Sequence, residues 1–429
     1  MWKYFMIFCV VISSVFASSY RRYDDFQVWR IKCNNEYDVK WIDEVSSHFG
    51  DLIDSWSANH GHQTVDLMIS PSFTGDFPHL LRNRGLEFSI VIEDVQELIE
   101  MTMPKGPRPA VASGVFDYTI YHTYDEIQQW VSDFASQNAE NVEHFYMTTS
   151  YEGRPINGMR ISGDLSVTGK PAIYFQGGIH SREWISPATV MYFTNQLVKD
   201  YGRDSEVTRM LDEIDWYIVP SLNVDGYSYT WTNDRLWRKT RQRARGNVCI
   251  GTDPNRNYNY KWGGEGSSNN SCSLIYAGPY PFSEPEIKGS TDFLLKKAET
   301  QEFKVFIDWH SYSQLMLAPW SWTDKELPPD AKAQDDFAKA ATSAITSVYG
   351  TKYIYGPGSQ VLYVSSGASK DWGYVGLGAK YSYTVELRDT GEYGFLLPEN
   401  QIEQSGIETY EGVKAMGRFI LEEISASAK

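Results

Sequence analysis

Two rhythms of apolar residues alternate along this chain. Short continuous runs mark strands, and apolar positions spaced three and four apart mark helices. In the first quarter, runs at residues 27–33, 65–69 and 87–92 predict strands, and helical spacing covers 39–49, 77–84 and 95–103. That order suggests a small α+β domain of the split βαβ, ferredoxin-like type. Further on, strands are predicted over 143–149, 155–161, 172–176, 216–220, 303–309 and 380–387. Helices are predicted over 126–136, 185–201, 206–213, 284–297, 331–349 and 398–425. Such alternation predicts an α/β domain with helices on both faces of a mostly parallel or mixed sheet. In such sheets sites lie outside the strand ends, where loops converge. The halves are joined by Met103-Pro104-Lys105-Gly106-Pro107-Arg108-Pro109, whose prolines and glycine exclude regular structure. Its basic residues invite a trypsin-like protease, and Lys105 is the expected cut because Arg108 precedes a proline. The segment is either the end of a removable prosegment or an ordinary interdomain linker.

Composition refines this picture. Lys3, an apolar core over 4–15 and the small-residue end Val15-Phe16-Ala17 make residues 1–17 an export signal, too short to span a bilayer. The expected order is therefore a signal peptide over 1–17, a prosegment over 18–105 and the main domain over 106–429, secreted and extracellular. The chain has 429 residues, 42% of them hydrophobic, which is enough for one large core and one small one. A net charge of -16 argues against nucleic acid or an anionic membrane surface as partner. Cys9 leaves with the signal. Cys249 and Cys272 flank a polar loop, and in an oxidising compartment they are expected to pair, contributing about 3 kcal/mol. Cys33 is left odd, either buried or reactive. Asn269-Asn270-Ser271 is a glycosylation sequon. His60 and His62 could suggest a metal, but the glycine between them favours an exposed turn.

The chemistry gathers around Gly177-Gly178-Ile179-His180-Ser181-Arg182-Glu183-Trp184. His180 and Glu183 lie where a buried strand gives way to a helix, three residues apart, and can converge on one zinc ion. A third ligand must come from elsewhere, and His310, at the end of the strand over 303–309, is well placed for it. A His2Glu set leaves a position open for water. Glu386 is an ionisable group in an otherwise apolar strand, which is costly unless it is paired or used. It could move a proton beside the metal, or it could pair with Arg388 two residues on. The stretches 236–241 and 253–257 carry Arg238 and Arg256. Arginine can grip a carboxylate or stabilise an oxyanion, although each stretch alone reads as a solvated loop.

In their order, GGIHSREW at 177–184, LWRKTR at 236–241, DPNRN at 253–257, DWHSYSQ at 308–314, LYVSSGASKDW at 362–372 and ELRDTGEYGFLLP at 386–398 are highly specific. The chain resembles the secreted zinc carboxypeptidases of the pancreatic A/B type, which are made as proenzymes. The resemblance covers nearly everything after Val115 and, more loosely, the prosegment. It implies a central mixed eight-stranded sheet with helices on both faces, preceded by the small α+β prodomain. It implies one Zn2+ per chain on His180, Glu183 and His310, with Asp253 orienting the first histidine. Glu386 is then the general base towards the attacking water, and Arg238 polarises the scissile carbonyl and holds the oxyanion. Asn255, Arg256 and Tyr363 clamp the free C-terminal carboxylate of a peptide substrate. Arg182, Tyr312 and Phe395 line the peptide's approach, and Cys249 and Cys272 match the family disulfide. A digestive exopeptidase activated by a trypsin-like protease is the function implied. A non-catalytic binder of C-termini on the same scaffold is the second reading. A serine hydrolase lacks its Gly-x-Ser-x-Gly elbow.

One position departs from the family. An apolar residue at the bottom of the specificity pocket suits apolar ends, and an aspartate suits Lys or Arg ends. Here the matching residue is Lys370, which would pair with a terminal Glu or Asp. Two unit charges near contact are worth about 4 kcal/mol at an effective dielectric near 20, before desolvation is subtracted. A preference for acidic C-terminal residues is therefore expected. If Lys370 bends to solvent, the pocket accepts apolar ends instead.

Overall fold

The computed structural model describes residues 20–50, 52–59, 63–103, 116–243, 246 and 248–427. The expected signal peptide, the linker's prolines with Lys105, and His60 and His62 lie outside the described residues. The N-terminal unit runs β1 (Gln27–Lys32), α1 (Glu36–His48), β2 (Ile53–Asn59), β3 (Thr64–Ile69), α2 (Phe77–Arg84), β4 (Glu87–Ile92) and α3 (Val95–Thr102). Its strands form an antiparallel sheet in the order β2-β3-β1-β4. The predicted split βαβ arrangement holds, but β2 has no counterpart among the predicted strands. The β2–β3 register shifts between Ser55 and Ser57, and a bulge there breaks the two-residue alternation that marks a strand. Cys33 is buried in this unit's core with Trp29 and Ile31, and burial pushes its thiol up to about 12, the inert of the two states left open.

The larger unit begins with α4 (Tyr124–Gln137), whose start is closed by a Thr123–Glu126 capping box. It continues through β5 (Val142–Thr149), β6 (Pro155–Ile161), β7 (Ala172–Gly177), α5 (Ile185–Asp200), α6 (Ser205–Glu213), β8 (Asp215–Val219) and α7 (Val224–Thr232). Then come α8 (Pro285–Ala298), β9 (Phe303–Ser311), β10 (Leu315–Ala318), α9 (Ala331–Tyr349), β11 (Ile354–Pro357), α10 (Gly358–Val361), α11 (Ser369–Val375), β12 (Tyr381–Leu387) and α12 (Ile402–Ser427). The eight strands make one mixed sheet in the order β11-β10-β12-β9-β7-β8-β6-β5. Its centre, β12-β9-β7-β8, is parallel, and those strands are near-continuous apolar runs buried on both faces.

Two differences from the sequence reading matter for the site. β9 extends to Ser311, so His310 lies inside the strand rather than beyond it. Asp308 and His310 then share one face of β9, and Thr384 and Glu386 stand opposite them in register on β12. The stretch 236–241 is not a solvated loop either: Lys239 and Thr240 are buried, and Lys239 Nζ donates to the Ser271 carbonyl at 2.7 Å. Cys249 and Cys272 are bonded, with Cα atoms 4.9 Å apart, close to that contact.

Candidate functional site

The loop between β7 and α5 carries His180 and Glu183 to the end of the parallel strands. Gly177 allows this loop to pass close to the neighbouring strand, because a Cβ there would lie 2.7 Å from the Pro220 carbonyl oxygen. His180 Nδ1 is 2.8 Å from Glu183 Oε1, and His310 Nδ1 is 3.0 Å from Glu183 Oε2. The three residues are buried, and one ligand atom from each lies within 4.8 Å of the others. The far nitrogens are held as well: His180 Nε2 is 3.0 Å from Asp253 Oδ1, and His310 Nε2 is 3.0 Å from Asp308 Oδ2. Each imidazole is thus oriented from behind, with Nδ1 left towards the centre, the arrangement metal-binding histidines use. Two nitrogens and a carboxylate with an open side suit zinc. Burial acts to raise the Glu183 pKa, but the two imidazoles outweigh it and hold the carboxyl well below its usual range. Asp308 was not singled out in the sequence. Its role follows from the alternation of β9 and from the Ser369 hydroxyl, which donates to its Oδ2 at 2.6 Å.

Around this centre, with the N-terminal unit in place, the cleft leaves a cavity of about 50 Å³. Glu386 is on its wall, and burial, the largest influence, raises its pKa against the pull of His310. The ion pair with Arg388 that the sequence left open does not form. Arg388 lies past the end of β12 and is held by Glu408, Nε to Oε1 and Nη2 to Oε2, each at 2.6 Å. Arg238 Nη2 donates to Asp253 Oδ2 at 2.9 Å, and its Nε–H is buried without a hydrogen-bond partner. Asp253 therefore ties His180 to Arg238. Arg256 is buried, donates from Nη1 to the Asn255 carbonyl at 2.8 Å, and has Nη2 3.5 Å from the Tyr363 hydroxyl.

Lys370, on α11, also lines this cleft and is buried. Burial lowers its pKa, with Asp371 the largest opposing influence. Among the described residues no carboxylate oxygen lies within 4.0 Å of Nζ, and Nζ makes no hydrogen bond. The space it occupies depends on Gly358, where a Cβ would lie 2.8 Å from Lys370 Cε and 2.9 Å from Nζ. Thr384 Oγ1, on the cleft wall, is buried without a hydrogen-bond partner. Around Lys370 the cleft thus offers donors without an acceptor in contact with them.

The N-terminal unit closes the other side. Trp56 and Ser57 of β2 line the same cleft. The Trp56 ring is 5.1 Å from Phe395, which is 5.1 Å from Tyr312. Tyr312 donates to Asp66 Oδ2 at 3.0 Å, and Arg182 Nη1 donates to Asp54 Oδ2 at 2.7 Å. Arg30 bridges Asp66 and the Thr390 carbonyl, passing where Gly391, at φ 97°, has no side chain. All three residues assigned to the peptide's approach are therefore covered by the N-terminal unit.

Residues 127–412 match the zinc carboxypeptidase family, and residues 29–102 match the carboxypeptidase activation peptide. Carboxypeptidase B of Homo sapiens is 36% identical over 423 residues, covering 97% of this chain and 99% of that protein. Carboxypeptidase A4 of Mus musculus is 37% identical and covers 98% and 100%. A solved structure of thrombin activatable fibrinolysis inhibitor superimposes with a TM-score of 0.81 at 34% identity, covering 93% of this chain and 99% of that one. The carboxypeptidase A of Helicoverpa armigera gives 0.83 at 28% identity, covering 92% and 98%. With a His-Glu-His centre under an activation-peptide domain, the chain belongs to the zinc carboxypeptidases and is a metallocarboxypeptidase zymogen.

Proposed function

We propose that the protein is secreted, is activated by a cut near Lys105, and then releases glutamate or aspartate from the C-termini of peptides. The observation that carries the acidic preference is Lys370, buried at a cleft wall with no carboxylate oxygen within 4.0 Å of its Nζ among the described residues. Overall likeness does not choose the end residue, since relatives named A and B match equally well, at 37% and 36%. The pocket does. An acidic side chain would satisfy Lys370, whereas an apolar one would leave the donors unpaired.

In this reading His180, Glu183 and His310 hold the zinc, with Asp253 and Asp308 fixing the imidazoles. Zinc held there supplies Lewis acidity at neutral pH, acidifying water and polarising a carbonyl oxygen. Asn255, Arg256 and Tyr363 take the terminal carboxylate, which sets the distance from the peptide's end to the bond that is cut. Glu386 accepts the proton of the attacking water and returns it to the leaving amine. Arg238, oriented by Asp253, offers its free Nε–H where oxyanion charge grows. The second reading, a non-catalytic binder, has no altered residue in its favour. Chelation should abolish peptide hydrolysis and added zinc should restore it; a binder would show neither effect.

The test of the preference is a set of peptides differing only in a terminal Glu, Phe or Arg, offered to the activated protein. Glu should be released fastest, and faster release of Phe would overturn the reading. Latency has its own test. Asp54 is the carboxylate that neutralises Arg182, so the uncut Asp54→Ala protein should hydrolyse small substrates roughly tenfold faster than the uncut parent, the loss of one charged hydrogen bond. Equal latency in both would remove that contact from the mechanism.

A further inference from the structure

Lys239 is a buried ammonium that the proposed chemistry does not use. It is 4% exposed and follows Arg238 directly in the chain. Arg238 lines the cleft and Lys239 does not. Burial pulls the Lys239 pKa down to about 8, with Asp253 and Glu284 opposing the fall. Its one hydrogen bond among the described residues goes to a neutral acceptor, the Ser271 carbonyl at 2.7 Å. A methionine would fill similar space without the cost of burying a charge. The donor at the end of the stem is therefore what the position requires.

That hydrogen bond closes a circuit behind Arg238. The Thr240 N–H donates to the Thr252 carbonyl and the Gly251 N–H to the Gln242 carbonyl, each at 2.9 Å. The two stretches touch at Gly251, φ 84°, where a Cβ would lie 2.2 Å from the Thr240 carbonyl oxygen and 3.0 Å from Lys239 Cβ. Two residues before Gly251, Cys249 is bonded to Cys272, the neighbour of Ser271. The path from Lys239 through Thr240, Thr252, Gly251, the disulfide and Ser271 thus returns to Lys239 Nζ. The same segment is tied to the metal loop, because the Ser181 N–H donates to the Arg238 carbonyl at 3.2 Å and the Ser181 hydroxyl to the Trp237 carbonyl at 2.6 Å. A displacement of about 1 Å at a reacting centre can cost about 10²-fold in rate, so a hold on this segment bears on the chemistry.

We propose that Lys239 is a positioning residue for Arg238, and that with the Cys249–Cys272 disulfide it holds the guanidinium where oxyanion charge grows. The disulfide then serves the reaction as well as stability, since it keeps the Ser271 carbonyl in reach of the ammonium. The proposal rests on the reading of Arg238 as the oxyanion donor, and not on the preference at Lys370.

The test uses zinc-loaded protein activated by limited trypsin, with one peptide substrate throughout. Lys239→Met should lower kcat roughly tenfold while zinc content holds and KM changes by less than about twofold. Lys239→Arg, which keeps a buried donor, should retain most of the rate. In an Arg238→Ala background, Lys239→Met should cost nothing further, because the group it positions is gone. A Cys249→Ser, Cys272→Ser protein should show a similar fall in kcat, and adding Lys239→Met to it should cost little more. Equal falls in the parent and Arg238→Ala backgrounds would overturn the proposal, as would a loss seen in zinc content or KM instead of kcat. If Lys239→Met does not fold, the disulfide-free protein is compared with and without Arg238→Ala, and equal falls overturn the proposal there too. If Arg238→Ala itself costs less than about tenfold, the oxyanion reading fails and takes this proposal with it; a large cost at Arg238 with an additive Lys239 effect sinks the proposal alone.

Discussion

Replacing Glu386 by Gln should lower kcat of the activated enzyme by about 10²–10⁴-fold while its zinc content stays unchanged. The carboxylate stands opposite His310 in the parallel register of β12 and β9 but is not part of the His-Glu-His group. It makes no ion pair among the described residues, because Arg388, the nearby candidate, is engaged by Glu408. A half-buried carboxylate left unpaired in an otherwise apolar strand is costly, and its place at the cleft wall points to use. Glutamine keeps the volume and the burial, so fold and metal should persist, and what is lost is the capacity to accept a proton. Steady-state rates and metal analysis on the same preparation separate the two effects. A fall of less than tenfold would reduce Glu386 to a packing residue.

Replacing Lys370 by Asp should invert the terminal preference, changing the ratio of Glu-end to Lys-end hydrolysis by about 10²–10⁴-fold. The range follows from losing one charged hydrogen bond and gaining another, roughly 1.5–3 kcal/mol each. The shorter side chain vacates the space beside Gly358 that the lysine stem now fills, leaving room for a substrate lysine. The parent should also show a pH dependence of definite sign. Burial lowers the Lys370 pKa, so its cation is present below that pKa and lost as pH rises through it. Preference for Glu ends should therefore weaken on the alkaline side, earlier than an ordinary lysine would allow. A preference that holds through that range, or a Lys370→Asp enzyme that still favours Glu, would take Lys370 out of the pocket chemistry.

The fold was legible where side-chain rhythm alone decides it. The central strands are buried on both faces and appear as apolar runs. β10 and β11 did not appear, because each has four residues and β11 closes on Gly356-Pro357 at the sheet edge, where a proline is tolerated. α7 was missed because Gly226, Ser228 and Thr230 are poor helix formers; Asn223 caps it and packing holds it. At the metal centre, His180 and Glu183 were legible from their spacing, and His310 from its place near a strand end. Asp308 needed the observed extent of β9, since its face is set only once His310 is inside the strand. The partner of Arg388 could not be read locally: Arg388 finds Glu408 on α12 instead of Glu386 two residues away. The same holds for Asp54 and Arg182, brought together by the docking of two units.

The most direct measurement compares two peptides identical except for a terminal Glu or Gln, hydrolysed by the activated enzyme. The two ends have nearly the same shape and differ in charge, so the comparison isolates the pairing with Lys370. Glu should be released with a kcat/KM roughly ten- to a hundredfold above Gln. Equal rates, or a faster Gln, would contradict it.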